Sequence, residues 1–222
     1  MTKRKLQRFA ENESFENLFQ YDYQRLQKEG FPLRGKWSEK YFGNNNPIVL
    51  ELGCGKGEYT INLAAHYPDK NYIGIDLKGA RIWRGCKTAL EEKMKNVAFI
   101  RSRVDCVEEF FAGGEVNEIW ITFPDPQLQS PREKKRLTSP VFLNRYRNIL
   151  QTGSPIHLKT DNERFFDYTM ATISTSRHEL LYATKDLYAS DAPDILKLIR
   201  TFYENIYLSE GKTIKYLKFK LN

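Results

Sequence analysis

The feature that most constrains the fold is a regular alternation of short apolar segments with helix-like segments, which begins after Pro47. Each apolar segment has the length of a strand, and each intervening segment is long enough to return the chain across one face of a sheet. This order predicts an α/β domain with a doubly wound, mostly parallel sheet and helices on both faces. The segments predicted as its first strands are IVLEL, NYIGID, VAFIR, VNEIWITF and SPIHLKT.

Two more strand-like segments near the end of the chain, ELLYATKD and KTIKYLKFKL, bring the predicted total to seven. They are predicted to extend one edge of the sheet in antiparallel fashion, within a domain that covers residues 47–222. The apolar phase of the last segment shifts between Tyr216 and Leu217, which predicts a β-bulge there. Residues 1–46 are predicted as a basic N-terminal arm, a helix over residues 14–29 and an irregular link. The sequence leaves open whether the first dozen residues are ordered.

Ligands of open α/β sheets bind beyond the carboxyl ends of the strands, and three features of this sequence gather at that edge. The first predicted strand runs into a glycine-rich turn, in which Gly53 and Gly55 let the backbone approach a ligand closely. The second strand ends in Asp76, an acid placed to accept hydrogen bonds from ribose hydroxyls. Asp125 follows the fourth strand. Together these features predict a cofactor that contains a nucleoside.

Glu51 distinguishes between two classes of cofactor. It lies in the segment that enters the glycine turn. A carboxylate there would repel the pyrophosphate of NAD but would attract the ammonium and sulfonium groups of S-adenosylmethionine. We therefore expect S-adenosylmethionine as the cofactor and a methyltransferase rather than a dehydrogenase.

The charge distribution favours a polyanionic partner. The chain has a formal net charge of +7, and residues 124–160 carry seven Lys or Arg against two Asp or Glu. A cluster of Lys134, Lys135 and Arg136 in that stretch is predicted to bind RNA phosphates. The three cysteines and three histidines are dispersed, so no metal site is expected. No apolar run has the length of a membrane span, and a cytoplasmic protein is expected.

Asp125 lies between two prolines in the sequence TFPDPQ. A proline disfavours the helical region for the residue before it, so Phe123 and Asp125 are both predicted to be extended. The Asp125 carboxylate should therefore have few orientations available. Such restriction suits an acid that must hold a substrate in one pose.

Several motifs in this chain resemble those of the bacterial tRNA (guanine-N7)-methyltransferases, a family of class I S-adenosylmethionine-dependent enzymes. The matching segments occur in the family's order and cover about residues 1–220. They are LELGCGKG, GID, NVAFIRSRVD, IWITFPDP, REKKRLT, HLKTDN and TFYE.

The resemblance implies a Rossmann-like, seven-stranded fold and methyl transfer to N7 of a guanine in the variable loop of tRNA. It places Glu51, Asp76 and the position of Arg103 at the cofactor, and it gives Asp125 the role of active-site acid. Contacts to the guanine or its surroundings are implied for Asp161, Thr201 and Glu204.

The sequence also departs from the family's pattern at specific positions. Gln127 and Gln129 stand where the family usually has Trp and Lys, which leaves the substrate contact at Gln129 open. Arg103 stands where an acid near the adenine is common, so either the Arg103 backbone or Asp105 is expected to hold that base. A class I methyltransferase with another substrate and a non-catalytic RNA-binding relative are the alternatives. The sequence does not decide between a monomer and a homodimer.

Overall fold

The structure is a computed structural model that describes residues 3–222; Met1 and Thr2, which begin the predicted N-terminal arm, lie outside the described residues. Its strands are β1 (Leu18–Gln20), β2 (Ile48–Leu52), β3 (Asn71–Asp76), β4 (Val97–Arg101), β5 (Glu118–Thr122), β6 (Pro155–Thr160), β7 (Glu179–Thr184) and β8 (Lys215–Lys220). They form one sheet in the order β1-β4-β3-β2-β5-β6-β8-β7. Only β8 runs antiparallel to its neighbours β6 and β7. The predicted α/β class with a mostly parallel sheet is confirmed.

Helices cover both faces of this sheet, so its central strands are apolar on both sides. The helices are α1 (Lys3–Asn12), α2 (Tyr23–Glu29), α3 (Glu58–His66), α4 (Gly79–Glu91), α5 (Val107–Phe110), α6 (Pro140–Arg147), α7 (Glu163–Thr175), α8 (Ile195–Leu198) and α9 (Phe202–Ser209). Side chains of α5, α6 and α7 share one hydrophobic core, and side chains of α3 and α4 share the other. In β2, Leu50 belongs to the first core and Val49 to the second, as the alternation of a strand requires.

The predicted helix over residues 14–29 is wrong in its first half. Residues Leu18–Gln20 form β1, which pairs in parallel with β4, and only Tyr23–Glu29 are helical. The Phe19 ring packs edge-on against Phe31 and Trp37, so pairing and aromatic contacts from distant segments override the local helical spacing. This strand raises the total to eight. The N-terminal segment therefore contributes to the same sheet, while the domain boundary at residue 46 stays a prediction.

The bulge predicted in the last strand is also wrong. β8 pairs continuously with β6, and the register shift lies across from it in β7, between Leu180 and Tyr182. Tyr216 and Leu217 are both buried because β8 lies inside the sheet, with cores on both faces. A strand in that position needs no alternation of apolar and polar residues, so its phase shift carried no structural signal.

Candidate active site

The glycine turn after β2 is open toward solvent on the side where a ligand would lie. Gly53 has φ 73° and Gly55 has φ 59°, a region that favours glycine. A Cβ on Gly55 would have no described heavy atom within 4 Å, and one on Gly53 would meet only a Leu137 methyl carbon at 4.0 Å. Gly57 differs, because its Cβ would lie 2.7 Å from the Phe99 ring. The first two glycines therefore leave space for a ligand, whereas Gly57 serves helix packing.

Asp76 ties the glycine turn to the end of β3. Its Oδ2 accepts a hydrogen bond from the Gly55 N–H at 2.9 Å, and its Oδ1 accepts one from the Lys78 N–H at 2.7 Å. The Gly53 N–H donates to the Ile75 carbonyl at 2.8 Å, which fixes the other side of the turn. The carboxylate predicted to hold a ribose is thus placed beside the open glycines.

One cavity of about 430 Å³ joins most of the predicted cofactor residues. Gly53 and Asp76 form one side, and Arg103 and Asp105 form another. Two residues predicted to bind phosphates, Lys134 and Lys135, also line it. The cavity is therefore shared by cofactor residues and by exposed cations. Predicted site residues that do not line it are Glu51, Gly55, Asp125, Gln129, Arg136, Asp161, Thr201 and Glu204.

Arg103 and Asp105 form one paired unit in this structure. The guanidinium donates to both carboxylate oxygens, with Nε to Oδ1 at 2.8 Å. This hydrogen-bonded pairing lowers the pKa of Asp105 below its usual value. The Asp105 carboxylate is thus already bound to Arg103. Whichever of the two residues contacts the adenine would therefore do so as part of this pair.

Glu51 lies directly beneath the glycine turn and is only 4% exposed. One carboxylate oxygen accepts hydrogen bonds from the N–H and the hydroxyl of Thr60, and the other accepts from the Thr122 hydroxyl at 2.6 Å. Burial raises the pKa of Glu51 to about 7, because its effect is larger than that of the hydrogen bonds from Thr122 and Thr60, which lower the pKa. Glu51 therefore exchanges a proton near neutral pH, at a point where a bound cation would favour its charged form.

Asp125 is exposed at the end of β5, in a turn with an unusual backbone. Phe123 has φ 48° and Gln127 has φ 45°, a region that non-glycine residues enter rarely. The prediction of an extended Phe123 is therefore wrong. Its N–H donates to the Lys159 carbonyl in β6 at 2.8 Å, and that contact outweighs the preference imposed by Pro124. Positive φ values of this kind cost about 1–3 kcal/mol each and concentrate at functional sites.

The Asp125 carboxylate is oriented by its own turn. Its Oδ1 accepts a hydrogen bond from the Gln127 N–H at 3.0 Å. The Gln127 carbonyl in turn accepts from Arg136 Nε at 3.2 Å. Arg136 also lies 4.2 Å from the centre of the Tyr168 ring, and its side chain is 12% exposed. The structure thus assigns Arg136 to supporting the turn, while Lys134, Lys135 and Gln129 are exposed around it.

The residues that the resemblance assigned to the guanine divide into an accessible one and two buried ones. Asp161 follows β6, and its side chain is 20% exposed, with Lys212 Nζ at 3.6 Å. Thr201 is the N-cap of α9 and accepts from the Glu204 N–H at 3.1 Å. Glu204 is fully buried, and Tyr188 donates to it at 2.9 Å. Thr201 and Glu204 are therefore internal supports in this structure.

Lys159 is a functional candidate that the sequence reasoning missed. It is fully buried, and its Nζ lies 2.8 Å from Glu204 Oε1. It also donates to the carbonyls of Leu196 and Ile199 at 2.9 and 3.3 Å. Burial lowers the pKa of Lys159, and Glu204 opposes that shift. The available signal was a lysine inside the otherwise apolar strand segment IHLKT.

Across residues 3–222, no helix combines the length and the apolar character that a membrane span requires. The same part of the chain contains no group of three or more His, Cys, Asp or Glu that could hold a metal ion.

Proteins named tRNA (guanine-N(7)-)-methyltransferase match all or nearly all of this chain. A family model described as "Putative methyltransferase" matches residues 45–217. A tRNA (guanine-N(7)-)-methyltransferase of Christiangramia forsetii is 55% identical over 99% of this chain and 99% of its own length. Proteins with the same name from Bacteroides thetaiotaomicron and Cytophaga hutchinsonii are 47% and 45% identical. They cover 100% and 99% of this chain, and the matches span 87% and 98% of their own lengths.

Solved structures support the fold at much lower identity. A 16S rRNA methyltransferase superposes with a TM-score of 0.62 at 12% identity, covering 83% of this chain and 92% of its own. An antibiotic-related methyltransferase gives a TM-score of 0.60 at 16% identity, covering 81% and 89%. At these identities the likeness concerns the fold alone.

Proposed function

Because the chain belongs to the tRNA (guanine-N(7)-)-methyltransferase family, we propose that it transfers a methyl group from S-adenosylmethionine to N7 of a guanine in the variable loop of tRNA. The observation that carries this proposal is the single cavity lined both by Gly53 and Asp76 and by Lys134 and Lys135. It joins a site suited to a nucleoside cofactor with cations suited to a polyanion. A tRNA substrate implies a cytoplasmic location.

The residues present fit S-adenosylmethionine. Gly53 and Gly55 leave space for the cofactor to contact the backbone of the glycine turn. Asp76 offers a carboxylate for the ribose hydroxyls. The Arg103–Asp105 unit also lines the cavity and is proposed to lie beside the adenine. Glu51, beneath the turn, would become charged beside a bound ammonium group. When bound, the cofactor supplies a methyl group activated by a positively charged sulfur.

Asp125 is proposed as the catalytic acid group, acting through its charge and hydrogen bonds. Guanine N7 carries a lone pair and no proton, so its reaction needs no general base and depends on placement. The Asp125 carboxylate can accept hydrogen bonds from the N1–H and the N2 amino group of guanine, which adenine does not offer. It would also stabilise the positive charge that develops on the purine. Asp161 and Gln129 are proposed as further substrate contacts.

Exposed cations would hold the RNA against this acidic site. Lys134 and Lys135 are both exposed and line the cavity. Phosphate contacts of this kind position a nucleic acid without reading its sequence, and they make binding depend on salt. Thr201 and Glu204 are proposed to act indirectly, by fixing Lys159 beneath the Asp125 turn.

Nucleoside analysis tests the proposal directly. The purified protein is incubated with tRNA and S-adenosylmethionine, and mass spectrometry measures 7-methylguanosine. We expect this product from the wild type and its loss in Asp125→Asn, which keeps the size of the side chain. Asp69→Asn is the matched control, because Asp69 is also an exposed acid after a proline but lies in the turn before β3. Methylation at another position, or equal turnover in Asp125→Asn, would contradict the assignment.

A further inference from the structure

Two neighbouring aromatic side chains at the start of α9 lie on the surface. Phe202 is 48% exposed and Tyr203 is 39% exposed, and their ring centres are 5.6 Å apart. Neither belongs to the two hydrophobic cores. The buried side of this helical turn is formed by Thr201 and Glu204. Packing of the fold therefore does not account for these two rings.

The two rings are part of a longer series. Tyr203 is followed by Tyr207, with ring centres 6.5 Å apart and planes 26° apart. The Tyr207 ring lies 5.8 Å from that of Phe123. We call Phe202, Tyr203, Tyr207 and Phe123 the aromatic row. Phe202 and Tyr203 are its exposed members, whereas Phe123 and Tyr207 are partly buried against the second core. Contiguous exposed apolar surface on a folded protein marks an interaction site.

Cations from three separate segments lie over the aromatic row. Lys56 Nζ, in the glycine turn, is 3.8 Å from the centre of the Phe202 ring. Arg81 Cζ, in α4, is 5.8 Å from the centre of the Tyr203 ring, and Lys212 Nζ is 4.6 Å from that of Tyr207. Aromatic faces interleaved with Lys and Arg form the combination that binds unpaired nucleotides: the rings stack bases and the cations neutralise phosphates.

The aromatic row connects the two halves of the proposed active site. At one end, the Phe202 N–H donates to Glu58 Oε2 at 2.9 Å, which fixes α9 to the first residue of α3, directly after the glycine turn. At the other end, Phe123 lies two residues before Asp125. An RNA strand that continues from Asp125 along this surface would therefore reach Tyr203 and Phe202.

We propose that Phe202 and Tyr203 stack an unpaired nucleotide next to the target guanine, while Lys56 and Arg81 bind its phosphates. This inference rests on the proposed function and adds a second nucleotide to it. Stacking on an aromatic face tolerates any base, so the contact would hold the RNA strand without selecting its sequence.

The test removes the aromatic faces and keeps their apolar volume. In Phe202→Leu/Tyr203→Leu we expect the tRNA KM to rise roughly 5- to 100-fold, with the affinity for S-adenosylmethionine unchanged. The conservative pair Phe202→Tyr/Tyr203→Phe should restore the wild-type KM. Tyr67→Leu is the matched control, because Lys70 Nζ also lies 5.6 Å from the centre of the Tyr67 ring. This pair lies between α3 and the start of β3, away from the end of the sheet where the proposed site lies.

A fluorescent base makes the inference testable without methyl transfer. A tRNA with 2-aminopurine beside the target guanine should be quenched on binding the wild type and remain bright with the leucine variant. If the leucine variant quenches equally and its tRNA KM stays within twofold of the wild type, the inference is overturned. A changed sedimentation coefficient with no change in tRNA binding would also overturn it, in favour of self-association. A wild type that quenches without methylating would refute the proposed function alone.

Discussion

The buried pair of Lys159 and Glu204 offers a strong test of how this site is supported. Both side chains are fully buried, and Nζ lies 2.8 Å from Oε1 and 2.9 Å from Oε2. Removing one partner leaves a buried charge without its counter-ion, which costs about 3–5 kcal/mol. We therefore expect Glu204→Gln to lower the free energy of unfolding by about 3 kcal/mol, the lower end, because Lys159 keeps two carbonyl acceptors. Lys159→Met should cost a similar amount.

The loss of stability should lower the melting temperature, and the losses of the two single variants should not add. For a chain of this size, about 2–4 °C of melting temperature corresponds to each kcal/mol, so Glu204→Gln should melt roughly 6–12 °C lower. The double variant Lys159→Met/Glu204→Gln should lose less than the sum of the single variants, because it buries no unpaired charge. Glu163→Gln is the matched control, since the Lys185–Glu163 pair is 3.0 Å apart but more than half exposed on both sides. That control should change stability by less than about 1 kcal/mol.

Denaturant unfolding and methylation assays together decide the role of Glu204. If it is an internal support, Glu204→Gln should unfold more easily yet retain measurable tRNA methylation well below its melting temperature. Loss of all methylation with a stability change under about 1 kcal/mol would refute this reasoning and would favour direct contact with the guanine.

Three further predictions concern the buried Glu51, Gly57 in the glycine turn, and the exposed Lys134 and Lys135. Burial raises the pKa of Glu51 from 4.5 to about 7, so the folded chain retains a proton that the unfolded chain releases. The free energy of unfolding should therefore fall by up to about 3 kcal/mol as pH rises from 4.5 to 7, and chemical denaturation of Glu51→Gln should lack that slope. Gly57→Ala should destabilise by about 1–3 kcal/mol, because Gly57 has φ 73° and an added Cβ would also clash with Phe99. Phe99→Leu should recover only the part due to the clash in thermal melts. Lys134→Ala/Lys135→Ala should reduce the slope of log tRNA affinity against log salt by roughly 0.7–0.9 per lost phosphate contact, and an unchanged slope would remove both lysines from the interface.

The sequence predicted those parts of the site that depend on single strands and their ends. Asp76 and the glycine turn were identifiable because the apolar pattern shows where β3 and β2 end, and parallel strands end at one edge. It did not predict β1, because three residues that look helical locally are held as a strand by β4. Lys159 was missed for a related reason. Its role depends on contact with Glu204, which is far along the chain, and no local sequence pattern shows that the two residues meet.

The structure also gives a physical reason why Asp125 needs support from distant segments. Phe123 and Gln127, on either side of it, have positive φ values that cost about 1–3 kcal/mol each. On one side the Lys159 carbonyl accepts the Phe123 N–H, and on the other Arg136 Nε donates to the Gln127 carbonyl. Pro124 alone would leave Phe123 extended, which is not the observed backbone. The turn is thus held by β6 on one side and by the basic segment on the other. A weakened hold on either side should relax the backbone at Asp125 before it unfolds the sheet.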